Sequence, residues 1–306
     1  MDRIRVSAPA TIANLGPGFD VFGLALGEPR DVVEVERVSE GVVISHIEGL
    51  WSNRIPMEPE KNTAGLAAVR MLQTIRADFG VSIKIVKGIR PLSGLGSSAA
   101  SAAAAVFGMD ILAGEGLSKE EMIEIAAKGE EASAGFAHVD NVAPSILGGF
   151  TMVRSYSPLS IEKIEPPRFT IVIVTPDITF TTREARNVLP SNIELRRMVS
   201  QIGSCSGLIA GMMKGDLTLI GECINRDYVV EPRRAPLVPG FDRVKRAALD
   251  AGAYGCSLSG AGPSVFAICE DAQQVAKAMV DEFVEQGVQA ESMITSPSSI
   301  GCRVVR

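Results

Sequence analysis

The sequence predicts an α+β protein of two domains, residues 1–155 and 156–306, and three observations lead there. Stretches such as DVVEVERV (31–38) and VSIKIVKG (81–88) alternate apolar and polar residues and read as strands with one covered face. Longer stretches carry apolar residues at helical spacing, and the two kinds mix without a regular strand–helix–strand period, which argues against a doubly wound sheet. After GGFTMVRSYSPLS (148–160) the pattern changes, and EPPRF (165–169) interrupts any regular element, so a domain boundary is expected near Tyr156.

The elements follow in order. From Asn62 the segment NTAGLAAVRMLQTIRADFG sets Leu66, Val69, Leu72, Ile75 and Phe79 on one helical face, with Asn62 or Thr63 as cap and Gly80 as stop. A second helix is expected over 97–113 and a third from Ser118, where SKEE resembles a capping box, to about Glu131. Beyond the boundary come a strand at 169–175, a helical region from 191 to about 227 broken at Gly215, and a helix over about 240–251. Two short strands flank SGAGP (259–263), followed by a helix at 271–285 and two final strands. No internal repeat or low-complexity tract is visible.

Composition narrows the function. A chain of 306 residues can bury a sizeable core. Its formal charge of −6, with Lys and Arg dispersed, gives no footprint for nucleic acid or an anionic membrane. An anionic ligand would need a local positive site. Five separated cysteines without a CxxC pair, and two histidines, read as reduced thiols, not a metal centre or disulfide framework. MDRIRVSAPATIANLG lacks the apolar core of a secretory signal, and FTIVIVTP is too short to cross a bilayer, so a cytoplasmic protein is expected.

The stretch PLSGLGSSAAS, residues 91–101, follows a strand and opens a helix. Helix N-termini bind phosphate because the first turn leaves N–H donors unpaired and the helix dipole adds positive charge there. Gly94 and Gly96 would let the backbone approach such a ligand, and Ser97 and Ser98 add hydroxyls. The small residues of AASAAAAVFG suit close packing on a sheet equally well, so these residues alone leave both readings open. A Walker loop would need lysine where Gly96 stands, and a dinucleotide fingerprint lacks its third glycine.

PLSGLGSSAAS resembles the ATP loop of the GHMP kinases, and APATIANLGPGFD (8–20) and SLSGAGPSVFA (257–267) fit the same superfamily in the same order. The phrases HVDNVAPSILGG (138–149), TTREARNVLP (181–190) and RRAPLVPGFD (233–242) are similar to the homoserine kinases within it. One departure is Pro91, which stands one place later than the family's proline, after Arg90. The resemblance implies an N-terminal part like domain 2 of ribosomal protein S5, a ferredoxin-like C-terminal part, and a cleft between them. It implies transfer of a phosphoryl group from ATP, with Mg²⁺, to the side-chain hydroxyl of L-homoserine, and a homodimer.

The same resemblance distributes roles, since phosphoryl transfer asks chiefly for charge neutralisation and an aligned hydroxyl. Pro91, Leu92, Ser93, Gly94, Leu95, Gly96, Ser97, Ser98, Ala99, Ala100 and Ser101 would form the ATP loop, with Asn62 and Lys87 toward adenosine. Glu130 would hold Mg²⁺ with Ser98, in preference to its neighbour Glu131. Arg186 and Arg234 would bind the acceptor's carboxylate, Asp20 and Asn14 its ammonium, and His138, Thr182 and Gly260 would complete the wall. The aspartate that some superfamily members use as base falls on Asn141, which cannot accept a proton. A kinase without a protein base is therefore expected, unless a one-residue bulge brings Asp140 into that role. Competing readings are a sister kinase for another small alcohol, such as shikimate or mevalonate, and a nucleotide-binding regulator.

Overall fold

The computed structural model describes residues 2–49, 51–114, 116–130 and 137–306. Strands β1 (Arg3–Ala13) and β2 (Phe22–Val38) form an antiparallel pair whose register shifts between Pro9 and Thr11. β3 (Val42–Gly49) runs parallel to β4 (Gly80–Lys87), which pairs antiparallel with the later half of β2. The earlier half of β2 pairs with β5 (Phe150–Tyr156), and β5 with β6 (Leu159–Ile164). With β11 (Arg303–Val305) on the free edge of β1, the described strands of this sheet number seven.

Helices α1 (Thr63–Ile75), α2 (Ser97–Ala113), α3 (Lys119–Gly129) and α4 (Val139–Leu147) pack against this sheet and one another. α2 occupies the middle, and its residues Ala99, Ala100 and Ala102–Ala105 are fully buried. Small side chains are what let it lie so near the strands: a Cβ added at Gly108 would stand 3.3 Å from side chains of Ile4, Val6 and Val35. α3 begins with the expected capping box between Ser118 and Glu121.

α1 starts as expected, with Asn62 Oδ1 accepting from the N–H groups of Ala64 and Gly65. Its buried face is rotated from the expected one, however. Ala64, Ala67, Ala68 and Met71 are fully buried, whereas Leu66, Val69, Leu72 and Ile75 are half-buried. Close contact with α2 selects small residues, and the larger apolar ones cover the flanks. The helix stops at Arg76, in the left-handed region at φ 50°, and Gly80 instead opens β4.

The chain leaves the first sheet later than 155/156. Tyr156 pairs with Leu159 across the β5–β6 hairpin, so that division cuts a hairpin, and the crossing falls in the proline-bearing segment 165–169. The second sheet is antiparallel, in the order β10 (Ala290–Thr295), β7 (Thr170–Pro176), β9 (Val265–Cys269), β8 (Gly255–Leu258). β7 is covered on both faces, which explains its unbroken apolar run. Val172 and Val174 meet α9 (Phe241–Asp250) and α10 (Ala272–Glu285) in one core. Ile171 and Ile173 join the main core with Leu208 and Met212 of α6 (Leu195–Lys214) and Ile220 and Ile224 of α7 (Leu217–Ile224). Gly215, at φ 70°, ends α6 as expected. Short helices α5 (Thr182–Asn187) and α8 (Glu231–Arg234) stand where the halves meet. No helix among the described residues is long and apolar enough to cross a membrane.

Candidate active site

A cleft of ≈ 310 Å³ lies between the halves, lined from one end to the other by Trp51, Asn62, the 90–98 loop, Glu130, Asp140, Arg186 and Arg234. Its donor end is the loop and the start of α2. Gly96 precedes that helix at φ 65° and no side chain caps it, in contrast to Asn62 on α1 and Ser118 on α3. The uncapped first turn therefore opens into the cleft with its donors available to an anion. Ser98 Oγ donates to Glu130 Oε2 at 2.9 Å, and both residues line the cleft. Burial, with Asp140 nearby, pushes the Glu130 carboxyl up to about 7. Among the described residues no group of three acidic, histidine or cysteine ligands could hold a metal. A hydroxyl and a carboxylate beside a phosphate site nonetheless fit an ion that prefers oxygen and completes its shell from water and substrate.

The loop is interlocked with the second half. Ser259 Oγ donates to the Gly94 carbonyl at 2.8 Å and the Ser264 N–H to the Ser93 carbonyl at 3.2 Å. Gly94 and Gly96 are needed for close approach. A Cβ at Gly94 would stand 2.4 Å from the Ser259 carbonyl oxygen, and one at Gly96 would stand 2.1 Å from Thr11 Oγ1 and 2.9 Å from Asn141 Oδ1.

Several residues expected at the nucleotide are bonded within the protein itself. Lys87 lines the cleft, but its ammonium is buried and donates to Asp31 Oδ2, the Ser97 carbonyl (2.8 Å) and Ser101 Oγ (2.9 Å), which exhausts its three donors. It has none left for adenosine. Removing either partner of such a buried pair costs about 3–5 kcal/mol, so the lysine is tied to Asp31. Ser101 also lines the cleft and is held in the same cluster. Leu95, Ala99 and Ala100 point into the main core, away from the cleft. Asn62 reaches the cleft with both oxygen acceptances committed to its cap and one amide hydrogen to the Pro56 carbonyl. Pro91, Leu92, Ser93, Gly94, Gly96, Ser97 and Ser98 all line the cleft, whereas Glu131 lies outside the described residues.

The acceptor end gathers side chains from distant segments. Arg186 Nη2, on α5, donates to both Asp20 carboxylate oxygens at 2.9 Å. Arg234, on α8, is buried and donates to the carbonyls of Ala185 (3.1 Å) and Gly260 (2.9 Å). Both guanidinium groups lie over the Phe19 ring, at 5.2 and 5.1 Å. Asn14 Nδ2 donates to the Gly260 carbonyl, and its Oδ1 accepts from the Asp20 N–H. Tyr156 Oη donates to the Asp20 carbonyl at 2.5 Å, which helps hold Asp20 at φ 57°. Thr182 lines the rim beside Thr181, the residue that forms a capping box with Glu184.

Between the two ends sit His138, Asp140 and Asn141, at the start of α4. Burial, assisted by the two arginines, lowers His138 to about 4, so it is neutral near pH 7, and its Nε2 has no hydrogen-bond partner among the described residues. Burial, with Asp20 nearby, raises Asp140 to about 7. Thr11 Oγ1 donates to Asn141 Oδ1 at 2.8 Å, and Asn141 Nδ2 donates to Asp140 Oδ1 at 3.4 Å. Asp140 needs no bulge to reach the cleft, because consecutive positions in the first turn of a regular helix bring both side chains to it.

Sequence reasoning missed Asp31, Thr11 and Trp51. Asp31 carried a signal: it stands in phase with Val33 and Val35, the inward residues of β2, as Lys87 does with Ile83 and Ile85 of β4. Thr11 lies inside the quoted 8–20 motif. Trp51 is the chain's one tryptophan; it lines the outer donor end with Arg54 and Arg90 against its ring at 4.3 and 4.7 Å.

An uncapped helix start facing an oppositely charged pair across one cleft suits a phosphotransferase acting on a small charged molecule. The chain matches the GHMP kinases N terminal domain over residues 62–149 and the GHMP kinases C terminal domain over residues 208–286. A homoserine kinase from Haloarcula marismortui is 47% identical over 289 residues, covering 94% of this chain and 95% of that one. One from Methanocella arvoryzae is 45% identical over 298 residues, covering 96% and 95%. The crystal structure of a homoserine kinase from Cytophaga hutchinsonii superposes with a TM-score of 0.93 at 41% identity, covering 100% of this chain and 98% of that one. The L. major mevalonate kinase, at 17% identity and a TM-score of 0.73 with 95% of each chain covered, shares the fold. The chain belongs to the GHMP kinases, in their homoserine kinase family, and is an ATP-dependent kinase with an alcohol acceptor.

Proposed function

We propose that the protein transfers the γ-phosphate of ATP to the side-chain hydroxyl of L-homoserine. The observation that carries this reading is the Asp20–Arg186 pair with Arg234 beside it, set in the same cleft as the uncapped start of α2. A free amino acid brings one ammonium and one carboxylate, so it can exchange into the pair, its ammonium taking Asp20 and its carboxylate taking Arg186 and Arg234. Shikimate and mevalonate lack the ammonium and would leave Asp20 without a replacement partner. The full set of charged residues also speaks against a regulator that has lost turnover.

Ser98 and Glu130 are the residues that would hold Mg²⁺, and the ion would neutralise phosphate charge when bound. The uncapped amides of α2 orient the triphosphate. Asn141, its oxygen engaged by Thr11 and one amide hydrogen by Asp140, has its other amide hydrogen to orient the acceptor hydroxyl, whose proton passes to the transferring phosphate. A second reading has one observation in its favour: the Asp140 carboxyl, held near 7, is matched to accept a proton at neutral pH. An Asp140→Asn variant that keeps near-normal turnover supports the first version; lost turnover with intact binding supports the second. In the same reading the chain divides functionally at 165–169, and it works as a homodimer, which sedimentation velocity tests.

The deciding experiment offers the purified protein L-homoserine, shikimate and mevalonate in a coupled ADP-release assay. Signal with homoserine alone is expected. Silence with homoserine and turnover of another alcohol would overturn the acceptor.

A further inference from the structure

We infer that Asp31 is a positioning residue for the nucleotide loop, acting through Lys87 and Ser101; the inference rests on the ATP-binding role proposed for that loop. Asp31 stands on β2, one step beyond the Val32–Val86 pair and so opposite Lys87 on β4, and it is fully buried. One carboxylate oxygen, Oδ1, accepts from the N–H groups of Gly88 and Ile89, both at 3.0 Å, where the loop leaves β4. The other, Oδ2, accepts from Lys87 Nζ and from Ser101 Oγ at 2.8 Å. Lys87 Nζ in turn donates to the Ser97 carbonyl, where the loop enters α2, and Ser97 Oγ donates back to the Ile89 carbonyl at 2.9 Å.

One buried ion pair thus grips both ends of the 88–97 segment. A buried salt bridge adds little net stability, since apolar residues of similar volume replace it at small cost. Fixing the loop's two ends is a different service. It sets the spacing between the strand exit and the first turn of α2, and phosphate recognition by backbone amides depends on that geometry. Lys87, Ser97 and Ser101 line the cleft, but in this assignment their clustered side-chain atoms act through the loop and not on the ligand.

Asp31→Asn alone would strand a buried ammonium and risks unfolding, so the test uses the double variant Asp31→Leu/Lys87→Met and, separately, Ser101→Ala, which suits the alanine-rich helix. Calorimetric titration with ADP plus magnesium, KM values for ATP and homoserine, and hydrogen exchange of residues 88–97 are compared with the wild type. The double variant is expected to bind ADP at least tenfold more weakly, with KM for ATP raised, KM for homoserine within twofold, and faster exchange in 88–97. Ser101→Ala is expected to move the same quantities by a smaller factor. Unchanged ADP affinity in both variants overturns the inference, as does an equal rise in both KM values. If the double variant does not fold, Ser101→Ala decides on the same criteria. Should the wild type bind no ADP, the functional reading falls, and the exchange of 88–97 alone decides the clamp.

Discussion

The donor and acceptor ends of the cleft are built on different principles. At the donor end the ligand-facing surface is backbone, drawn from one contiguous loop and stiffened from behind by a buried ion pair. At the acceptor end it is side chains delivered by separate segments: the charged Asp20 before β2, Arg186 on α5 and Arg234 on α8, with the neutral His138 before α4. Under the proposed function the comparison teaches that a shared ligand group would be held by main chain, whereas selectivity would sit in side chains that can vary without disturbing the loop. It also implies that damage at one end should leave the other end's binding intact.

The strongest way to break that separation is Arg186→Met. Removing the guanidinium deprives Asp20 of its partner and the acceptor carboxylate of its fork. A loss of about 10³-fold in kcat/KM for homoserine is expected, equivalent to about 4 kcal/mol. The Kd for ADP should stay within twofold by calorimetry; a matching collapse of ADP binding would show that the ends are not separate. Gly96→Ala should act in the opposite sense. The new methyl meets Thr11 Oγ1 in a backbone at φ 65°, and strain of about 1–3 kcal/mol predicts roughly fivefold to 150-fold weaker ADP binding. Because the clash also reaches Asn141, kcat should fall while KM for homoserine holds.

The smallest effect at any one pH step lies at the seam between the ends. Asp140 titrates near 7 when folded against an ordinary value of 3.8, so between those values the folded state holds the extra proton and stability falls as pH rises. Glu130 acts in the same direction. His138, lowered to about 4, acts in the opposite one below its ordinary value of 6.5. Asp140→Asn should therefore flatten the decline by up to about 1.4 kcal/mol per pH unit between pH 4 and 7, read from urea unfolding at several pH values. An unchanged slope would mean that the carboxyl is already ionised in the folded protein.

The same asymmetry explains what the sequence could reveal. The donor loop and α2 are contiguous, and the helix spans 97–113 as expected from its glycine start and alanine run. The acceptor residues gave no local signal, since an isolated arginine looks the same on a surface as in a site; only their family phrases located them. Where expectations slipped, packing had overridden pattern. The large apolar residues of α1 flank its buried stripe because α2 lies too close for them. Resemblance points Lys87 toward adenosine, whereas strand phase puts it inward beside Ile83 and Ile85, facing an aspartate in phase with valines. The boundary at 155/156 failed to allow for β6 folding back on β5.

The bonds from Ser93 and Gly94 to Ser259 and Ser264 rivet the two halves together directly beneath the reacting groups. Parting the halves at that point would cost both of those bonds. The less costly way in for nucleotide and amino acid is past the rim, where Trp51 and Arg54 form one lip and Thr179–Thr182 the other.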